Sequence, residues 1–417
     1  MSAALQSSDL FPKVPRVSLS EVPEVSAYFK NTLRAMFGED EDKVRSYVQE
    51  ITQMSWTPEK MRERLAGIED GEQLKSAMRR LRRDVMMSLV ARDISGLANL
   101  EEVVTSMSDL AEITIDRTVS VYAKELAKRF GVPRSETGVP QDLIVIGMGK
   151  LGGRELNVSS DIDLIFFYDC DGECGPTAEY PNVRKSNQEF YERLAKKVIP
   201  ALSEITWEGF VFRVDMRLRP NGDSGPIVGS SDMLEEYLMT QGRDWERFAW
   251  LKGRVVNGPV FASEEDFNIQ KKNINDIVRP FVYRKYLDFG AISSLTDLHA
   301  KIRLSTQKRA LESLKEGQNI KLGRGGIREI EFIAQTFQVI RGGRNPFLRE
   351  RSTLKALQAL ASENILAKDK AEMLSKIYVF LRNMEHALQY ENDQQTQLFA
   401  ADPEHRTRIA KMLGFTV

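Results

Sequence analysis

A glycine-rich turn followed by two aspartates constrains this chain more than any other stretch of its sequence. Residues 147–153 read Gly-Met-Gly-Lys-Leu-Gly-Gly, and residues 159–166 read Ser-Ser-Asp-Ile-Asp-Leu-Ile-Phe. The second segment predicts a short apolar β-strand that bears Asp161 and Asp163. Successive side chains on a strand point to opposite faces, so both carboxylates share one face, about 7 Å apart. We expect the two carboxylates to be unpaired on a buried strand, where they repel each other unless a cation neutralises them. Magnesium suits an all-oxygen pair that faces a phosphate.

Two common phosphate-binding motifs do not explain the glycines. Three glycines within residues 147–152 satisfy the dinucleotide-binding spacing, but that motif needs a long helix directly after the turn. A polar linker over residues 154–160 leads into a second strand instead. The Walker loop fails too, because Lys150 is followed by leucine rather than by serine or threonine. Neither nucleotide-binding fold is therefore expected.

The order of strand, two glycines, short spacer and Asp-x-Asp on a second strand resembles the nucleotidyltransferase superfamily of the DNA polymerase β type. Such enzymes need a third carboxylate on a neighbouring strand. Residues 210–218, Phe-Val-Phe-Arg-Val-Asp-Met-Arg-Leu, provide Asp215 as the candidate. If this segment is a strand, Arg213, Asp215 and Arg217 share one face. An aspartate flanked by arginines suits both a metal ion and the charge of a phosphate.

Further blocks of sequence make the resemblance much closer than a superfamily. Together they are similar to glutamine synthetase adenylyltransferase, a bifunctional family that adenylylates and deadenylylates glutamine synthetase. The blocks that share this similarity lie at residues 147–166, 213–220, 222–226, 243–250, 281–286 and 321–332. The resemblance covers most of the chain from about residue 30 onward, and it includes one of the family's two transferase halves.

The family resemblance implies roles for nine residues. Asp161, Asp163 and Asp215 would be the catalytic carboxylates and would hold two magnesium ions. The expected nucleotide- and phosphate-binding residues are Gly152, Gly153, Ser160, Arg217, Lys150 and Arg219. The two glycines would allow close backbone approach to phosphate oxygens, because they have no side chain in the way.

The implied reaction is nucleotidyl transfer at a tyrosyl-AMP linkage on glutamine synthetase. The site could add AMP from ATP, or inorganic phosphate could attack the AMP phosphorus and release ADP. Both directions pass through one in-line transition state, so residues alone do not separate them. Because the chain begins at Met1 and its motifs resemble the family's N-terminal half, which removes the adenylyl group, deadenylylation is expected.

Three alternatives to deadenylylation remain. The chain could be the adenylylating half, a uridylyltransferase-like sensor, or an inactive half that only binds the PII signal protein. The intact Asp-x-Asp disfavours an inactive site, and the lack of a downstream histidine-aspartate pair disfavours the sensor. The family resemblance also implies regulation by uridylylated PII. The helical region after about residue 265 is expected to dock a protein partner, and the alternative is that it only supports the catalytic sheet.

Composition indicates which kinds of binding partner and which cellular compartment are expected. The 417 residues include 59 basic and 60 acidic side chains, so no global charge favours nucleic acid or an anionic membrane. Cys170 and Cys174 lack a second pair of ligands, which disfavours a zinc site or a disulfide framework. No signal peptide or membrane span is apparent in the sequence, so a cytoplasmic protein is expected.

Hydrophobic periodicity predicts an α+β fold, in which a mostly helical chain flanks a central mixed sheet. The expected domains are an N-terminal helical region (1–130), a catalytic nucleotidyltransferase domain (135–262) and a C-terminal helical bundle (265–417). The predicted strands are 143–147, 160–168 and 210–218, and the predicted later helices are 187–204, 296–316, 327–341, 352–362 and 368–391. The arginines within residues 79–83 are expected on a solvated helix face, and His386 in a packing role. The glycines of residues 323–326 are either an anion-binding turn or a tight turn between helices.

Overall fold

The structure, a computed structural model, describes residues 17–283 and 317–415. Helices dominate these parts of the chain, as expected. The α-helices are α1 (Val22–Val25), α2 (Ala27–Phe37), α3 (Glu41–Gln53), α4 (Pro58–Arg64), α5 (Gly71–Ile94), α6 (Leu100–Phe130), α7 (Gly149–Gly152), α8 (Asn187–Ser203), α9 (Ser231–Thr240), α10 (Asp244–Trp250), α11 (Glu264–Val282), α12 (Ile327–Arg341), α13 (Thr353–Ser362), α14 (Lys368–Tyr390) and α15 (Pro403–Met412). The predicted helix 296–316 lies outside the described residues.

Short polar side chains begin the long helices. Asp70 accepts a hydrogen bond from the first turn of α5, Asn99 does so for α6, and Ser186 forms a capping box at the start of α8. Each of these side chains satisfies a backbone N–H that has no partner within its helix. The 31-residue helix α6 ends at Gly131, whose φ of 80° favours glycine. Local sequence therefore accounts for these boundaries.

In the part of the chain that the structure describes, the strands form one main sheet and two small ones. The strands are β1 (Arg134–Ser135), β2 (Ile144–Gly147), β3 (Ile162–Tyr168), β4 (Gly172–Cys174), β5 (Lys185–Ser186), β6 (Val214–Asp215), β7 (Val228–Ser230), β8 (Arg254–Val255), β9 (Gly317–Asn319) and β10 (Leu398–Ala400). In the main sheet, β3 is antiparallel to β2, and β2 is antiparallel to β8. The other edge of β3 pairs in parallel with β6 at its start and with β7 at its end. The mixed sheet confirms the predicted α+β class.

Helices cover both faces of the main sheet. On β3, Ile162, Leu164 and Phe166 contribute to a core that includes side chains of α6 and α8. Ile165 and Phe167 point the opposite way, into a second core with α9, α10 and α11. Asp161 and Asp163 continue this second row toward the beginning of the strand, as the alternation of side chains requires.

All three predicted strands are longer than the observed ones, the first by a single residue. The segment 210–218 contains only the two-residue strand β6, and the segment 160–168 is a strand only from Ile162 onward. Arg217 donates its backbone N–H to the Asp215 side chain at 2.8 Å, so the chain turns immediately after β6 instead of extending. The prediction that no long helix follows the glycine turn is confirmed, since α7 has four residues.

The N-terminal and C-terminal helices share one hydrophobic core. Its buried residues run from Val22 in α1 to Met412 in α15. Hydrogen bonds join the same regions: Ser26 donates its hydroxyl to the carbonyl of Tyr390 at 2.6 Å, and the Tyr28 amide donates to the carbonyl of Glu391 at 2.8 Å. The predicted domain boundaries stay predictions, but the first and third regions pack directly against each other.

Two of the four arginines within residues 79–83 contradict the prediction of a solvated face, whereas Arg80 is exposed as predicted. Arg79 and Arg82 are 2% and 6% exposed. Arg79 donates hydrogen bonds to the carbonyls of Lys75, Glu204 and Gly209 at 2.6–2.9 Å, and Arg82 pairs with Asp393 at 2.9 Å. These guanidinium groups therefore anchor distant loops to α5 rather than facing solvent.

Across residues 17–283 and 317–415, no helix is long and apolar enough to cross a membrane.

Candidate active site

The parallel register of β3 and β6 brings the three predicted carboxylates to one sheet edge. Asp163 lies opposite Asp215, one step beyond the pair Ile162 and Val214. Since paired positions point to the same side of a sheet, the Asp163 and Asp215 side chains are neighbours. Arg213 donates from Nε to Asp161 Oδ1 at 2.9 Å, which places Asp161 at the same edge. Residues separated by more than fifty positions thus form one acidic cluster.

Asp163 is the most perturbed group in the cluster. Burial raises its pKa to about 6, and the charges of Asp215 and Asp161 add to the effect. Within the described residues, the Asp163 carboxylate forms no hydrogen bond or ion pair, although Lys321 and Arg217 are close enough to oppose the shift. An uncompensated carboxylate beside two others is expected to attract a cation.

The other two carboxylates already have arginine partners, which corrects the prediction that Asp161 and Asp163 are both unpaired. Arg213 holds Asp161 as described, and it also donates to the Ser159 carbonyl at 2.7 Å. Arg217 binds both oxygens of Asp215, at 2.5–3.0 Å. The hydrogen bonds from Arg217 hold the pKa of Asp215 below its ordinary value. The segment 210–218 therefore supplies two arginine side chains that neutralise carboxylates, as well as the Asp215 carboxylate itself.

The cluster fits a divalent cation better as a pair of ligands than as a triad. Among the residues that the structure describes, no three His, Cys, Asp or Glu side chains are placed to hold one metal ion. Asp163 and Asp215, however, are cross-strand neighbours, and Asp163 has no ion pair with any residue that the structure describes. Carboxylate oxygens are suitable ligands for magnesium. Asp161 could join them through Oδ2, because Arg213 engages its Oδ1.

The glycine turn contacts the cluster through Gly149 rather than through the predicted pair. Gly149 has a φ of 52°, and a Cβ there would lie 2.9 Å from Oδ2 of Asp163. A Cβ on Gly152 would collide with the carbonyl oxygen of Lys252, and Gly153 lies against the Arg351 backbone. Packing against neighbouring backbone therefore explains why Gly152 lacks a side chain. In the sequence, only the weak G-x-G spacing indicated that Gly149 needs a positive φ.

The remaining predicted site residues lie in different environments. Ser160 is buried directly before Asp161. The Arg217 side chain is 75% exposed, so it can contact a ligand while it binds Asp215. Arg219 donates to the Met216 carbonyl at 2.8 Å and closes the turn after β6. Lys150 points into the protein and donates to Glu385 at 2.8 and 3.0 Å.

A shallow cavity of about 400 Å³ opens beside the carboxylates. Asp161 and the residues from Arg213 to Arg217 line one side of it, while Asp223 and Gln395 complete it. Gln395 comes from the loop after α14, so the C-terminal region contributes to this cavity. No local motif identified Gln395 as a candidate.

The glycine turn before α12 is a tight turn rather than an anion site. The first amides of the helix are already used: Ile327 donates to the Ile320 carbonyl and Arg328 to the Lys321 carbonyl, both at 3.1 Å. Glu329 accepts from the Gly325 amide at 2.9 Å, which adds a negative charge where an anion would bind. The alternative of an anion held on these backbone amides is therefore not supported.

A mixed sheet with an Asp-x-Asp strand, a glycine turn against it and a third aspartate on the parallel neighbour defines a nucleotidyltransferase-type domain. Comparison with known proteins agrees. Residues 18–269 match the family described as glutamate-ammonia ligase adenylyltransferase, and residues 296–417 match the family described as GlnD PII-uridylyltransferase.

Individual relatives give the same result. The chain is 49% identical over 342 residues to a bifunctional glutamine synthetase adenylyltransferase/adenylyl-removing enzyme of Burkholderia mallei, an alignment that covers 82% of this chain and 36% of the relative. Proteins of the same name from Aromatoleum aromaticum and Nitrosomonas eutropha are 50% and 42% identical, over 83% and 95% of this chain and 35% and 41% of the relatives. The chain thus spans well under half the length of these relatives. It belongs to the glutamate-ammonia ligase adenylyltransferase family, which confirms the resemblance seen in the sequence.

Proposed function

We propose that this chain removes AMP from an adenylylated tyrosine of glutamine synthetase by phosphorolysis, and so reactivates glutamine synthetase in nitrogen regulation. The observation that supports this most is the parallel register that puts Asp163 beside Asp215 in a member of this family. The direction of transfer is supported by the resemblance of the motifs to the adenylyl-removing half of the family. Addition of AMP from ATP is the competing outcome.

The proposed reaction is a single in-line displacement at the phosphorus of AMP. An oxygen of inorganic phosphate forms a bond to this phosphorus, and the bond to the tyrosine oxygen breaks. The tyrosine oxygen takes up a proton, and ADP leaves. In such a reaction the protein contributes mainly positioning and electrostatic stabilisation.

The residues around the cavity suit these tasks. Arg217 offers an exposed guanidinium whose fork geometry matches a phosphate, and Asp215 fixes its orientation. Arg213 is held between Asp161 and the Ser159 carbonyl, which keeps a second positive charge at the cavity wall. Together the two arginines would compensate the charge that gathers on the phosphate oxygens.

A divalent cation, magnesium in our proposal, would be held by Asp163 and Asp215. When bound, it would neutralise phosphate oxygens and act as a Lewis acid at the reacting phosphorus. The two ions that the family resemblance implies would require Asp161 as a further ligand. Because Arg213 engages Oδ1 of Asp161, Oδ2 would be the ligand to the second ion.

Two protein partners complete the proposal. The substrate is glutamine synthetase, the protein named in the family description and in the names of the relatives. The regulator is uridylylated PII, and the match of residues 296–417 to a family named for PII uridylylation supports a PII-related role for the C-terminal region. Binding of uridylylated and unmodified PII to the purified chain would compare these two forms directly.

The test is to incubate the chain with adenylylated glutamine synthetase, phosphate and magnesium, and to measure ADP and deadenylylated protein. A parallel reaction supplies ATP and unmodified glutamine synthetase. We expect ADP in the first reaction and none with Asp163→Asn. Incorporation of AMP in the second reaction alone would assign the chain to the adenylylating direction, and no turnover in either would refute the proposed function.

A further inference from the structure

A buried cluster of ionised side chains joins α14 to the glycine turn and to the segment before Asp161. It contains three cations and three carboxylates, so its charges balance: Lys150, Lys252 and Arg382 with Glu155, Glu331 and Glu385. Lys150 donates from Nζ to both oxygens of Glu385, at 2.8 and 3.0 Å. Glu385 is completely buried. Although burial opposes its ionisation, Lys150 and Arg382 lower the pKa of Glu385 to about 2.

One face of α14 follows the backbone that leads to the catalytic strand. Arg382 donates to the Glu155 carbonyl at 2.7 Å and to the Asn157 side chain at 2.5 Å. One turn further along the helix, Glu385 binds Lys150. After a second turn, Gln389 accepts a hydrogen bond from the Ser159 amide at 3.1 Å. Because residues three to four apart lie on one side of a helix, these contacts form a single continuous surface.

The Lys150 contact leads directly to the carboxylate cluster. Lys150 is adjacent to Gly149, where φ is 52° and an added Cβ would lie 2.9 Å from Oδ2 of Asp163. The Met148 amide donates to the Asp163 carbonyl at 2.9 Å, so the turn is also attached to β3 through the backbone. A shift of Lys150 would therefore displace the atoms that contact Asp163.

We infer that Glu385 is a positioning residue: by holding Lys150, it fixes the glycine turn 149–153 against Asp163. Its kinetic consequence rests on the proposed function, whereas the effect on the turn does not. A buried ion pair is poor evidence for a stabilising role, because removing both charges from water costs about as much as their attraction returns. We therefore assign to the Lys150–Glu385 pair a role in fixing the position of the turn, which apolar packing alone does not specify.

The first test is the conservative variant Glu385→Asp, which keeps every charge but withdraws the carboxylate by one methylene. Hydrogen exchange is measured on peptides spanning residues 147–160 without substrates. We expect exchange there to be faster by about tenfold or more, while peptides of α6 exchange as in the wild type. Unchanged exchange in 147–160 would overturn the inference, and so would a uniform increase along the whole chain.

The second test removes both charges in Lys150→Met/Glu385→Gln, so that the cluster stays balanced. The matched control is Arg92→Met/Glu102→Gln, because this pair joins α5 and α6 at 2.8 Å and has no contact with the turn. Loss of positioning should lower kcat about 10- to 100-fold while the KM for phosphate stays within about twofold. The control should keep the wild-type kcat.

The two readouts separate the possible failures. If Lys150 itself bound phosphate, its replacement would raise the KM for phosphate, and Glu385→Asp would leave kcat unchanged; this pattern would overturn the positioning role. A wild-type chain without phosphorolysis would refute the proposed function, and the exchange measurement would still decide whether Glu385 holds the turn.

Discussion

Neutralising Asp163 should stabilise the protein in the absence of divalent cations. The ordinary pKa of this carboxyl is 3.8, and in the folded chain it is raised to about 6. The folded state therefore binds the proton more tightly than the unfolded chain between these values. The associated stability is present below pH 4 and is lost as the pH rises through 6. Above pH 6 the loss is at most about 3 kcal/mol, at about 1.4 kcal/mol for each pH unit.

Asp163→Asn removes this penalty because asparagine has no charge to bury. At pH 7.5 in EDTA, the variant should have a free energy of unfolding about 1–3 kcal/mol above that of the wild type, and the difference should shrink at pH 4.5. Asp161→Asn is the matched control, since it loses the ion pair with Arg213. This partly exposed pair contributes about 0.5–1 kcal/mol, so the control should be slightly less stable.

Urea denaturation of the three proteins at both pH values measures these differences. Magnesium should raise the stability of the wild type and remove the advantage of Asp163→Asn, because a ligand stabilises the state that binds it. If Asp163→Asn were no more stable than the wild type at pH 7.5 in EDTA, the Asp163 charge would already be neutralised in the folded chain. The electrostatic basis for the cation site would then be wrong.

Three further substitutions test separate parts of the structure. Gly149→Ala should destabilise the fold by about 1 kcal/mol, because φ is 52° and the new Cβ would press on the Asp163 carboxylate, and it should lower kcat in the same assay. Arg217→Ala should raise the KM for phosphate about tenfold without changing the KM for adenylylated glutamine synthetase; an unchanged KM for phosphate would remove Arg217 from the site. Arg79→Met should cost about 2–4 kcal/mol in urea denaturation, because three carbonyls each lose one donor. Arg80→Met, at a 53% exposed side chain, should cost under about 1 kcal/mol.

Sequence patterns correctly predicted the helices and strands whose ends are set by residues nearby in the sequence. The helix 327–341 was predicted with its observed limits, because glycines precede and follow an apolar stretch of helical period. The helix predicted at 187–204 ends within one residue of the observed α8, and its capping side chain lies next to it in sequence. The Asp-x-Asp strand follows from the same kind of local information.

The family resemblance predicted one contact between distant residues, Asp163 with Asp215, whereas the ion pairs and burial that depend on other distant partners were not predicted. The burial of Arg79 follows from carbonyls more than 120 positions away, at Glu204 and Gly209. The contact of Lys150 with Glu385 joins residues 235 positions apart. In the sequence, a charged residue that is buried in such a contact looks the same as one that faces solvent. Its charge does not indicate which distant residue will pair with it in the fold. The same reason explains why Asp161 was expected to be unpaired although Arg213 neutralises it.

The most direct test of phosphorolysis follows the phosphate itself. Adenylylated glutamine synthetase is incubated with the chain, magnesium and ³²P-labelled inorganic phosphate, and the nucleotide products are separated. Attack by phosphate on the AMP phosphorus predicts label in the β-phosphate of ADP, in an amount equal to the glutamine synthetase tyrosine that is deadenylylated. Asp163→Asn should give no labelled ADP. Release of unlabelled AMP, or label-free ADP, would contradict the proposed reaction.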